Sequence, residues 1–120
     1  MSDIREIKPE QIDALTTFLR RNGLQAGDRV AFLGFSMEAE ALIQMSVRKV
    51  TEVVVALQPH WTSSQINTVL GLSKATYLLI EREEHLKNVP DSWLRSLKIV
   101  TLREWNQRER LLKSESGLPE

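Results

Sequence analysis

His60 and Trp61 are the pair in this sequence best equipped to meet a small molecule. An imidazole takes and gives protons near neutral pH, and an indole offers a face for stacking. They follow the apolar run VVVAL and the residues Gln58-Pro59. A second group, Gly34-Phe35-Ser36, follows the apolar run VAFL. Ligands of open α/β sheets bind at the carboxyl ends of the strands. Phe35, Ser36, Gln58, His60 and Trp61 are therefore the candidate ligand-binding residues. The plainer alternative has Trp61 packing over the sheet edge and His60 exposed. Ser36 has no neighbouring base and no strained elbow around it, so its hydroxyl reads as a helix cap rather than a nucleophile. The stretch GFSME lacks the G-x-G-x-x-G spacing of a dinucleotide fingerprint. A helix beginning at Ser36 can still receive an anion. No residue is assigned a catalytic role.

Other chemistries have less support. There is no cysteine, which excludes disulfides, thiolate catalysis and cysteine zinc sites. His60 and His85 lie far apart, without metal-ligand spacing. His85 sits in the run EREEHLK, which reads as a solvated charged face. No metal or cofactor is expected. Sixteen basic residues balance sixteen acidic ones, which argues against nucleic acid as a partner. The polar start MSDIREIKPE has no apolar core of a secretory signal. No uncharged apolar run approaches the roughly 18 residues that span a bilayer. A cytoplasmic location is the expectation.

These candidates must be held by a scaffold that 120 residues can build as one domain. The segment KPEQIDALTTFLRRNG predicts a helix. Pro9 opens it, Ile12, Leu15, Phe18 and Leu19 form its apolar stripe, and Gly23 stops it. Arg20 and Arg21 complement its C-terminal end. Val30 to Leu33 predicts a strand covered on both faces. The next helix is capped by Ser36, carries Glu38 and Glu40 at its start, and faces inward through Ala39, Leu42, Ile43 and Val47. Three consecutive valines mark a second strand, stopped by Pro59. Thr62 or Ser63 caps a third helix, with Gln65 placed for a capping box on Thr62; Ile66, Val69, Leu70 and Leu72 point inward. ATYLLIE is a third strand and LKIVTL a fourth. Between them, REEHLKNVPDSWLRS holds at most a short helical turn. REWNQRERLLK predicts a last helix. Trp93 and Trp105, with Leu94, Leu97, Leu111 and Leu112, close the core. The alternation predicts a three-layer α/β sandwich: a mostly parallel sheet of about four strands, helices on both faces, over residues 1–113, then a flexible tail over 114–120.

The segment from Gly27-Asp28-Arg29-Val30-Ala31 through Val53-Val54-Val55 and LQPHWT resembles the N-terminal region of the acyl-adenylate-forming superfamily. This group includes acyl-CoA synthetases, luciferases and peptide-synthetase adenylation domains. Pro59 and Thr62 match the family pattern, and Gln58 stands where asparagine is frequent. SSQINTVLGLSKATYLLI matches the helix, turn and strand that follow, so the resemblance runs from Ile12 to Glu81. It implies a parent enzyme that activates a carboxylate with ATP and passes it to coenzyme A or a carrier thiol. Two departures limit it. Lys49-Val50 replaces the family's alanine-glycine. The phosphate-binding loop, rich in Ser, Thr and Gly and ending Gly-x-Pro-Lys, is echoed only by Gly117-Leu118-Pro119, where Glu120 takes the lysine's place and Glu115 adds charge that repels a triphosphate. The expectation is therefore a truncated or stand-alone domain, not catalytically complete, that binds a protein partner, itself as a homo-oligomer, or a small acyl ligand. The alternative is a flavodoxin-like sensor or small enzyme working through Ser36 and His60.

Overall fold

The computed structural model describes residues 7–102. The elements run α1 (Pro9–Arg21), β1 (Arg29–Leu33), α2 (Met37–Val47), β2 (Val53–Leu57), α3 (Ser63–Ser73), β3 (Tyr77–Ile80), a 3-10 helix (Glu83–Asn88), α4 (Asp91–Ser96) and β4 (Lys98–Thr101). The four strands form one parallel sheet in the order β2-β1-β3-β4. The expected last helix and tail, with Trp105, Leu111 and Leu112, lie outside the described residues.

Alternation along the strands divides the core into two layers. Val30, Phe32, Tyr77 and Leu79 face α1 and α2, meeting Leu15, Phe18, Leu19, Ile43 and Val47. Ala31, Leu33, Leu57, Leu78 and Ile80 face the other way, toward Ile66 and Leu70 of α3 and Leu97 after α4. The central strands are covered on both sides, which explains their unbroken apolar runs. The α1 stripe is real: Leu15 and Leu19 are fully buried, each contributing about 2 kcal/mol of transfer free energy. Small polar residues let α1 and α2 approach. The Thr16 hydroxyl donates to Ile12 O and reaches Ser46 O across the helix contact.

The helix starts follow the sequence chemistry. The Ser36 hydroxyl accepts from Ala39 N–H at 3.2 Å. Thr62 and Gln65 complete the capping box. Two expectations fail. Leu72 is 79% exposed: one helix turn cannot turn Ile66, Val69, Leu70 and Leu72 to one sheet face, and Leu72 falls on the far side. The segment between β3 and β4 carries a 3-10 helix and α4 rather than one short turn. These close the α3-side layer by packing Leu86, Val89, Trp93, Leu94 and Leu97 over β3 and β4. The Trp93 indole N–H donates to Asn67 Oδ1 at 2.7 Å, tying α4 to α3. No helix among the described residues is long and apolar enough to cross a membrane.

Candidate functional site

The strand order reverses at β1. The connection through α2 runs outward to β2 on one face, while α3 crosses on the other face to β3. The chain leaves β1 for α2 on one face and leaves β3 for the 3-10 helix and α4 on the other, which opens a crevice between the carboxyl ends of β1 and β3. Backbone pairing narrows its base, where Glu81 N–H reaches Leu33 O.

The crevice is filled by a residue read from sequence as part of a solvated charge run. His85, on the 3-10 helix after β3, folds back over Gly34 at the end of β1. A methyl group placed on Gly34 would lie 2.5 Å from His85 Cδ2 and Nε2. Gly34 also has φ +95°, a conformation that side-chain-bearing residues rarely adopt. Both constraints fall on one residue. The imidazole Nε2 lies 3.7 Å from Oε1 of Glu81, four residues earlier at the end of β3, a pair that is ionic only with His85 protonated. Nothing local in EREEHLK announces this. The signal is the glycine at the end of β1, which shows its meaning only once β3 lies beside it.

Beside this contact is a cavity of about 250 Å³. Leu33, Pro59 and Ile66 make its apolar floor; Glu84, His85, Lys87 and Asn88 make its polar rim. The five residues singled out from sequence are dispersed around this edge. Phe35 turns toward the α1–α2 layer and meets Phe32 edge-on at 6.2 Å between ring centroids. Ser36 caps α2. Gln58 is half-buried, and its carbonyl accepts from Trp61 N–H in a tight turn. Trp61 packs on the α3-side layer, and His60 is exposed. Pro59, between Gln58 and His60, reaches the cavity. Among the described residues, no group of three or more His, Asp or Glu side chains is placed to hold a metal ion.

The opposite edge explains the Gly27-Asp28 motif. Asp28 is 7% exposed and gathers the amino ends of several elements. Its carboxylate accepts from Gln25 N–H at 2.8 Å, from the Thr76 hydroxyl at 2.8 Å and from Lys98 Nζ at 3.3 Å. Its carbonyl accepts from the buried Thr51 hydroxyl just before β2. Burial pushes its acidity down, but the hydrogen bonds from Gln25 and Thr76 and the Lys98 ammonium outweigh it. The carboxyl is held below the usual range. Tyr77, buried and near this charge, has its phenol pKa pushed above its ordinary value. Its hydroxyl donates to Asn22 O at 3.0 Å.

A model of AMP-binding enzymes matches residues 9–119. The chain belongs to the AMP-binding enzyme family. Its fold is similar to Klebsiella oxytoca NpsA in complex with 3-hydroxyanthranilyl-AMSN, at 25% identity and a TM-score of 0.71, over 88% of this chain and 21% of that one. The N-terminal subdomain of NpsA alone is similar at 25% identity and TM-score 0.70, over 88% of this chain and 27% of that one. VinN in complex with L-aspartate shares the fold at 20% identity and TM-score 0.64, over 84% of this chain and 26% of that one. The chain thus spans a fifth to about a quarter of the length of these structures. No curated protein matches it in sequence. The α/β fold and the adenylate-forming resemblance both hold.

Proposed function

We propose that these 120 residues act as a binding and scaffolding unit of an adenylate-forming ligase's N-terminal lobe, and do not complete acyl activation by themselves. The Gly34–His85 contact carries this reading. In a sheet of this order, the β1/β3 crevice is where backbone N–H groups meet a phosphate. An imidazole laid on Gly34 takes up that approach. On this reading, the groups that hold ATP are not among these residues.

The adjoining cavity favours a small acyl ligand. Its apolar floor suits a hydrocarbon or aryl group, and Lys87 and Asn88 at the rim suit a carboxylate. NpsA holds a 3-hydroxyanthranilyl compound, and an acid of similar size is the ligand class in this reading. A protein partner or a second copy of the chain, and a cytoplasmic location, belong to the same reading. NpsA exists as an artificial adenylation-PCP fusion with ThdA, which supports a protein partner. The test is incubation with ATP, radiolabelled pyrophosphate and a panel of carboxylates. No exchange above a protein-free control is expected, and sustained label in ATP overturns the reading. In parallel, aryl acids should raise the melting temperature, and Lys87→Ala should abolish the rise.

One observation favours the sensor reading as a second choice: the order β2-β1-β3-β4 is the opening of the flavodoxin-like order. On that reading the ligand contacts would be Ser36, His60 and Trp61. Alanine at His60 and Trp61 should then remove a ligand-induced melting shift with the fold retained; an unchanged shift rejects it.

A further inference from the structure

We propose that the outer face of α2 is a docking surface for a second copy of this chain, met antiparallel about a two-fold axis at Ala41. This rests on the binding role proposed above and assigns it a surface. A surface helix carries its polar residues on the side away from the core. α1 and α3 do so: Asp13, Thr17 and Arg20 are exposed on one, Ser64, Asn67 and Thr68 on the other. α2 does not. Its buried side is Ile43, Ser46 and Val47. Its exposed side presents Met37, Ala41 and Met45, spaced at four residues along one stripe. Met37 is 84% and Met45 48% exposed, two of the three large apolar side chains exposed among the described residues. A single exposed methionine is ordinary, but two on one helix face with an alanine between them form a continuous apolar strip.

The charges at the ends of the strip select the occupant. Glu38 and Glu40 lie in the first turn of α2, and Arg48 and Lys49 follow its last turn. Among the described residues, none of the four lies in a salt bridge. A second α2 running the opposite way brings the acidic start of each helix to the basic end of the other. Met37 of each copy then lies beside Met45 of the other, and Ala41 meets Ala41. A parallel pair would set acid on acid and base on base. The small Ala41 lets the two backbones approach, and the flexible methionines adapt to one another. The surface is self-complementary, as a two-fold dimer requires.

The competing account is that these acids and bases only answer the dipole of α2. That explains the ends of the helix and leaves the apolar strip between them without a reason. The helix has 11 residues and so spans only about 16 Å. The contact is small, which puts the dimer among the weak, reversible ones.

The test is sedimentation equilibrium of the full chain from about 1 μM to 1 mM. A concentration-dependent dimer is expected. Arg48→Glu with Lys49→Glu makes both ends of α2 acidic; Glu38→Lys with Glu40→Lys makes both basic. Each double variant should raise the dissociation constant about tenfold or more by opposing like charges. Mixed in equal amounts, the two variants should associate again, a rescue that damage to the fold cannot produce. The chain has no cysteine, so Ala41→Cys puts its one thiol on the axis and should oxidise in air to a disulfide-linked dimer. Thr68→Cys, on the outer face of α3, should not. A monomer over the whole range, no association in the mixture, or equal cross-linking at both positions overturns the proposal. All of these are read without ATP, so they stand apart from the pyrophosphate exchange that tests the binding role.

Discussion

Replacing Asp28 with alanine should be among the most damaging single changes available in this domain. The carboxylate holds the α1–β1 loop through Gln25, β3 through Thr76 and β4 through Lys98. Alanine leaves the Gln25 N–H without its acceptor. It also removes the acceptor of the Thr76 hydroxyl, which itself accepts from Arg29 N–H. Hydrogen bonds to a charged acceptor contribute about 1.5 kcal/mol each at the low end, so the two give roughly 3 kcal/mol. The Lys98 contact adds little, because its side chain is 45% exposed and the pair is screened by solvent. For a chain of 120 residues, at about 2.1 cal/mol/K per residue, roughly 3 kcal/mol lowers the melting temperature by about 12 °C. The pH dependence has a definite sign. The folded carboxyl is held below its unfolded value. Its stabilisation is therefore present above the unfolded pKa of about 3.9 and is lost as pH falls through the folded value. Urea unfolding followed by tryptophan fluorescence at pH 7 and in a series down to pH 2 measures both effects. The wild type and the variant should differ most at pH 7 and converge in acid. A variant within about 0.5 kcal/mol of wild type at pH 7, or a gap that does not narrow in acid, would refute the claim that this carboxylate ties the amino edge together.

Gly34→Ala should destabilise by about 2 kcal/mol through its positive φ and its collision with His85, and adding His85→Ala should restore the steric share in a double-mutant cycle; full additivity would mean the two residues do not touch. Ser36→Ala should cost about 1 kcal/mol of stability as a lost cap, measured by urea unfolding, and leave binding of aryl acids unchanged. Tyr77→Phe should cost about 1 kcal/mol by leaving Asn22 O without its donor, and an unchanged melting temperature would show that water replaces the phenol. Leu72→Lys should change stability by less than about 0.5 kcal/mol, since the side chain is exposed.

The sequence alone determined what is local. Caps at Ser36 and Thr62, the stop at Gly23 and the continuous apolar runs of β1 and β3 are written in residues within a few positions of each other, because helix ends and strand burial are decided by neighbouring side chains. Alternation of those elements was enough for a parallel sheet with two covered faces, and the ordered spacing from Gly27-Asp28-Arg29 through Pro59 and Thr62 to the third strand carried the resemblance to the family. Only the tertiary structure decided what depends on residues distant in the chain. The order β2-β1-β3-β4 makes β1 and β3 neighbours; that places His85 on Gly34 and turns a charged surface run into the plug of the crevice. It also brings Thr76 and Lys98 to Asp28 across 48 and 70 residues of chain. Leu72 shows the limit from the other side: its hydrophobicity pointed to the core, and the helical rotation set by Ile66 and Leu70 carried it to the surface. Residue type gives a side chain its chemistry, while strand order and helix phase decide what that chemistry faces.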